Sequence, residues 1–182
     1  MNLVEYGRII VQRGWIPLLL AVLTAVGAYL FSQTVTPEFR ATQVMLVVPS
    51  RSDNGLTLAA ERLLNNRRAY LTSEIIAREV LENTEQDLTP GELLGNTTIT
   101  ANQQNLTIQI DVDLTAPTAA DAQRLLDPIV REWGQQLIDF QNEQNQSARQ
   151  EDRILVQPQD NPRFAQLAPR PTIYAAIGGI AG

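Results

Sequence analysis

Leu106–Leu114 reads LTIQIDVDL: Leu106, Ile108, Ile110, Val112 and Leu114 alternate with Thr107, Gln109, Asp111 and Asp113. A side-chain period of two places the first set on one face and the second on the other, so the spacing predicts a half-buried strand with one wet face. Thr97–Gln103 precedes it and is expected to pair with it antiparallel, joined through Gln104-Asn105.

Working outward, Phe39–Val48 (FRATQVMLVV) is rich in β-branched and apolar residues and stops at Pro49, which predicts a strand buried on both faces near its end. Ser50–Gly55 is a turn signal. Leu56–Leu71 follows with apolar residues at helical spacing, at positions 56, 59, 60, 63, 64 and 71. Ser73 is placed to cap a second helix, Glu74–Asn83, with Ile75, Ile76, Val80 and Leu81 inward. Thr89-Pro90-Gly91-Glu92 has the form of a capping box with proline at the first helical position, opening a short turn of helix.

Pro117 is expected to open a long helix in which Ala122, Leu125, Leu126, Ile129, Trp133, Leu137 and Phe140 recur every three or four residues. Pro128 should kink or divide it. Its tail, Gln141–Gln150, is polar and rich in Asn and Gln. Arg153–Gln157 (RILVQ) reads as a last short strand, and Pro158–Pro171 as an extended, proline-broken return. The order strand, helices, strand, strand, helix, strand is that of an α+β domain of the split βαβ, ferredoxin-like kind. That arrangement has an antiparallel sheet with helices on one face.

Two apolar stretches flank this domain. No charge falls between Arg13 and Glu38, and Trp15–Phe31 is almost wholly apolar. A helix from about Gly14 to Gln33 would be roughly 30 Å long, the thickness of a bilayer core. Pro17 in its first turn, Trp15 and Tyr29 near its ends, and Arg8 and Arg13 before it fit a transmembrane helix with a cytoplasmic N-terminus. A cleaved signal peptide, ending in the small residues around Ala25–Ala28, is the rival reading, but its apolar core spans only about 7–15 residues. Ile173–Gly182 is the second stretch. The expected plan is a lead over 1–14, a first transmembrane helix over 15–33 and an exported α+β domain over 38–157. A proline-rich return over 158–172 and the start of a second transmembrane helix over 173–182 complete it. That helix stops about ten residues into a span of about 20, so the chain is expected to be a fragment.

The chain has 182 residues; its fourteen basic residues are all arginine, and it contains no lysine, histidine or cysteine. Disulfides, thiolate chemistry and Ser–His or Cys–His nucleophile pairs are thereby excluded, together with the common zinc, copper and haem ligand sets. Beyond the lead, twelve arginines stand against nineteen acidic residues, about −7 with no basic stripe, so nucleic acid is not an expected partner. There is no P-loop run and no G-x-S-x-G, and no cofactor is expected.

Asp111 and Asp113 point the same way from one strand, about 7 Å apart, as a carboxylate pair or half a calcium site would. A solvated strand face accounts for them equally well and is preferred. Arg67-Arg68 could meet an anionic ligand or partner, although a solvated helix face is the commoner cause. Asn96, Asn105 and Asn145 each open an N-x-S/T sequon, read as chance in a chain rich in these residues. Ala21, Ala25 and Ala28 make a smooth helix face that Gly27 widens, and Gly178 and Gly182 form a G-x-x-x-G pair; such faces let helices approach closely in lipid.

Several stretches together resemble one family. They are Leu3-Val4-Glu5-Tyr6-Gly7-Arg8 before Trp15, Phe39-Arg40-Ala41 opening a strand, and Asp113-Leu114-Thr115-Ala116-Pro117 before Ala119-Ala120-Asp121-Ala122. Ala168-Pro169-Arg170-Pro171 before the glycine-bearing second stretch completes the set. Each is loose; their order resembles the N-terminal part of the polysaccharide co-polymerases, the Wzz-type chain-length determinants, of the compact type. The resemblance implies a non-enzymatic, homo-oligomeric protein of a bacterial inner membrane, multi-pass and in contact with membrane lipid. It would set the chain length of O-antigen, capsule or exopolysaccharide with a membrane polymerase. Some members activate a cytoplasmic tyrosine autokinase, encoded separately or fused beyond the position of Gly182. The alternatives are such a kinase activator, or an exported binding domain on a single anchor.

Overall fold

The computed structural model describes residues 15–51 and 54–168. The chain divides into two units, Glu38–Gln166 and another containing the helix α1, Trp15–Thr34.

The unit Glu38–Gln166 runs β1 (Glu38–Pro49), α2 (Asn54–Leu71), α3 (Glu74–Thr84), α4 (Pro90–Gly95), β2 (Thr97–Asn102) and β3 (Thr107–Thr115). It continues with α5 (Ala119–Ser147), a 3-10 turn (Gln150–Asp152), β4 (Ile154–Pro158) and β5, which begins at Arg163. The fold is α+β. Strand order is β2-β3-β1-β4, every pair antiparallel, with β5 also paired to β1.

The alternation in β3 sets the two faces. Ile108, Ile110 and Val112 lie opposite Met45, Gln43 and Ala41 of β1, and all six are buried beneath the helices. α5 packs on β1, β3 and β4, and α2 on β1, β2 and β3. Trp133, Leu126, Ile129 and Leu137 of α5 fill the centre, with Leu64 and Leu71 of α2 and Val80 of α3 beside them. The opposite face carries Arg40, Thr42, Val44 and Leu46, all half-buried, so β1 is not buried on both faces as its composition suggested.

Several other expectations are corrected. Pro128 does not divide α5, which runs unbroken for 29 residues. The carbonyl that loses its bond there, that of Arg124, sits on an exposed residue, where water can serve it. The helix begins after Thr118, whose Oγ1 accepts from Asp121 N, rather than at Pro117. Ser73 occupies the N-cap of α3 without a side-chain cap bond, whereas Thr89 and Glu92 complete their capping box. Ile75 is 75 % exposed, its inward place taken by Ala77. The return after Pro158 is not simply extended chain: β5 adds to β1, and the compact unit reaches Gln166 rather than residue 157.

α1 is a 20-residue helix that leaves Trp15, Leu18, Leu23, Leu30 and Phe31 more than half exposed. Among the described residues, however, no helix is long and apolar enough to cross a membrane. This overturns the expected transmembrane helix over 15–33 and the multi-pass inner-membrane placement. Pro17 at one end and Ser32-Gln33-Thr34 at the other bound the run Leu18–Phe31, which spans roughly 21 Å at ~1.5 Å per residue, short of the ~30 Å hydrocarbon core. The lead over 1–14 and the stretch 173–182 lie outside the described residues.

Candidate functional site

The polar seam on the uncovered sheet face is made by direct cross-strand partners. Arg40 lies opposite Asp113, Thr42 opposite Asp111, and Val44 opposite Gln109. Arg40 donates from Nε to Asp113 Oδ1 at 2.7 Å and from Nη2 to Oδ2 at 2.6 Å, a two-pronged ion pair. The hydrogen bond to Asp113 raises the Arg40 pKa above its ordinary value, so the guanidinium stays charged.

Asp111 accepts from Thr42 Oγ1 and from Gln109 Nε2, the latter at 2.8 Å, and is only 6 % exposed. The two carboxylates do share a face, as the period of two requires, but they are not a solvated pair. Each is committed to partners that arrive from β1 or from its own strand, so neither is free as an acid, a base or a cation ligand. Among the described residues no group of three His, Cys, Asp or Glu side chains could hold a metal ion.

Of the adjacent arginines, Arg68 is exposed and Arg67 is turned into the α2–α5 junction. The Arg67 guanidinium carbon lies 4.0 Å from the Phe140 ring centroid, and Tyr70 stacks on the same ring at 4.2 Å. Arg67 Nη2 reaches Gln141 Oε1 at 3.4 Å, while its Nε is buried without a hydrogen-bond partner among the described residues. Burial pushes the Arg67 pKa down, and burial with the charges of Glu79 and Glu143 pushes the Tyr70 hydroxyl up. Arg67 therefore serves as a cation–π prop between two helices.

The polar tail of α5 is structural too. Asn145 is 8 % exposed; its Nδ2 donates to Ile154 O at 2.7 Å and its Oδ1 accepts from Ile154 N at 3.3 Å. The amide thus imitates a strand partner for the first residue of β4. Gln141, 4 % exposed, donates to Asn145 Oδ1 and holds it in place.

On α1, Ala21, Ala25 and Ala28 are half-buried together with Thr24, whereas Gly27 falls on the exposed side. Gly178, Gly182, Pro169 and Pro171 lie outside the described residues. The residue that sequence reading passed over is Gln43, an amide 3 % exposed beneath α5. Its alternation with Ala41, Met45 and Val47 was the available signal. No family model matches the chain, and no curated protein matches it either.

Proposed function

We propose that the chain is a non-catalytic, self-associating subunit of the Wzz-type polysaccharide co-polymerase kind. It would set the length of a bacterial surface polysaccharide, O-antigen, capsule or exopolysaccharide, by acting on a polymerase. One observation carries the reading. Phe39-Arg40-Ala41 and Asp113-Leu114-Thr115, two of the stretches on which the resemblance rests, are cross-strand neighbours clasped by the Arg40–Asp113 pair. Motifs 73 positions apart in sequence make one structural joint.

The finer fold assignment belongs to the same proposal. Order β2-β3-β1-β4 with all neighbours antiparallel is the connectivity of a ferredoxin-like domain, in which helices link strands that are not adjacent. The exposed apolar surface of α1 supports self-association, because such surface is normally covered in an assembled protein.

The test has two arms. Deleting the gene should shift the length distribution of the surface glycan, read on a gel of extracted polysaccharide, without abolishing sugar incorporation. The full chain should sediment as a particle of many copies; a monomer at all concentrations would refute the proposal.

A further inference from the structure

Between α5, the middle of β1 and the turn joining β4 to β5 lies an open cleft of about 590 Å³, within the ordinary range of small-molecule sites. Ile138 and Pro158 give it an apolar lining. Gln43 enters from β1, and its Nε2 donates to the main-chain carbonyl of Asp160 at 2.8 Å. That bond fixes the amide and leaves Oε1 as a nearly buried acceptor with no hydrogen-bond partner among the described residues.

The rim adds further amides. Gln135 donates its Nε2 to Asp139, which leaves its oxygen uncommitted, and the exposed Asn161 amide makes no hydrogen bond among the described residues. The charges at the cleft are already matched: Arg131 pairs with Asp127 at 2.9 Å, and Asp160 pairs with Arg163. A charged ligand would find no unpaired counter-charge. No aromatic side chain lines the cleft among the described residues, so there is no platform for a base or an aromatic ring.

We propose that this cleft binds a neutral sugar unit. Amides both donate and accept, as hydroxyls do, and the Ile138–Pro158 lining suits the C–H face of a pyranose ring. The inference deepens the proposed function and rests on it for the ligand's source: the glycan itself would touch the subunit.

The experiment is saturation-transfer NMR on the full chain with glucose, galactose, mannose, rhamnose and N-acetylglucosamine, their short neutral oligosaccharides, and glucuronate as the charged control. Signal from at least one neutral sugar, weakened roughly three- to tenfold by Gln43→Leu and by the exposed Asn161→Ala, is the expected result. The second variant guards against misfolding of the first. Stronger signal from oligosaccharides than from the matching monosaccharide assigns the site to a glycan chain; equal signal assigns it to a free sugar. Silence from every neutral sugar, a response to glucuronate alone, or signal indifferent to both variants overturns the proposal. Gene deletion read on glycan length separates the two readings: a length shift with no sugar binding sinks the cleft and leaves the function standing.

Discussion

Gly134 of α5 crosses Met45 of β1 so closely that a Cβ on the glycine would lie 3.1 Å from the methionine Sδ and 3.6 Å from its Cε. The missing side chain lets the helix settle on the sheet. Gly134→Ala gains about 1 kcal/mol of helix propensity, which the crowding of Met45 offsets. Gly134→Val should cost about 2 kcal/mol or more in urea unfolding, because the branched side chain cannot be absorbed. Combined with Met45→Ala, the two losses should fall short of additive. Independent losses would show that the contact is not the constraint.

Arg40 and Asp113 offer a cleaner electrostatic test. A double-mutant cycle with Arg40→Met and Asp113→Asn should return a coupling of about 1 kcal/mol, near the upper end for half-exposed pairs because the geometry is two-pronged. The coupling should shrink in molar salt. A coupling indistinguishable from zero would remove the joint from the argument for function.

Trp133 is fully buried, yet its Nε1–H has no hydrogen-bond partner among the described residues. Trp133→Ala should cost about 3–5 kcal/mol, as emptying a core aromatic site does. Trp133→Phe should cost far less, because it removes an unmet donor along with the lost volume. Equal losses in calorimetry would mean that the indole nitrogen is satisfied after all.

Glu85 closes α3 in the left-handed region, at φ 52°, where its N–H bonds Leu81 O. Glycine adopts that conformation without the steric cost, so Glu85→Gly should stabilise the domain by about 1 kcal/mol. The urea midpoint should rise with its slope unchanged.

The capping box makes a pH prediction. Hydrogen bonds from the Thr89 backbone and hydroxyl hold the Glu92 carboxyl below its usual pKa. A depressed pKa contributes stability that is present above the unfolded value, about 4.3, and is lost as pH falls through the folded one. Thr89→Ala should therefore lower stability at neutral pH and flatten the acid limb of the stability profile below about pH 4. NMR titration of Glu92 should show its pKa rising in the variant. No rise would mean that the box is not formed in solution.

Much of this architecture could be read from the chain because period-two and period-3.6 patterns survive in isolated stretches. Ile108, Ile110 and Val112 alternate whatever lies beside them, and Leu126, Ile129, Trp133 and Leu137 form one helix stripe unaided. Asp111 was misread as wet because its burial is set by Thr42 across the sheet. β5 was missed for a related reason: β4 pairs only with Met45–Pro49, and β1 takes β5 as a further partner. Nothing within Arg163–Ala168 announces that. The cleft was out of reach altogether, since Gln43, Gln135 and Asn161 share no local pattern. The inward register of Gln43 was visible, and the open space above it was not.

The clasp between Asn145 and Ile154 also decides where sugar could be attached to the protein itself. Asn145 opens a glycosylation sequon, but its amide nitrogen is spent on the Ile154 carbonyl and shut away from any transferase. Asn96 and Asn105, exposed at either end of the β2 hairpin arm, carry no such restriction. Sugar attachment to the already folded chain would reach those two positions and not Asn145.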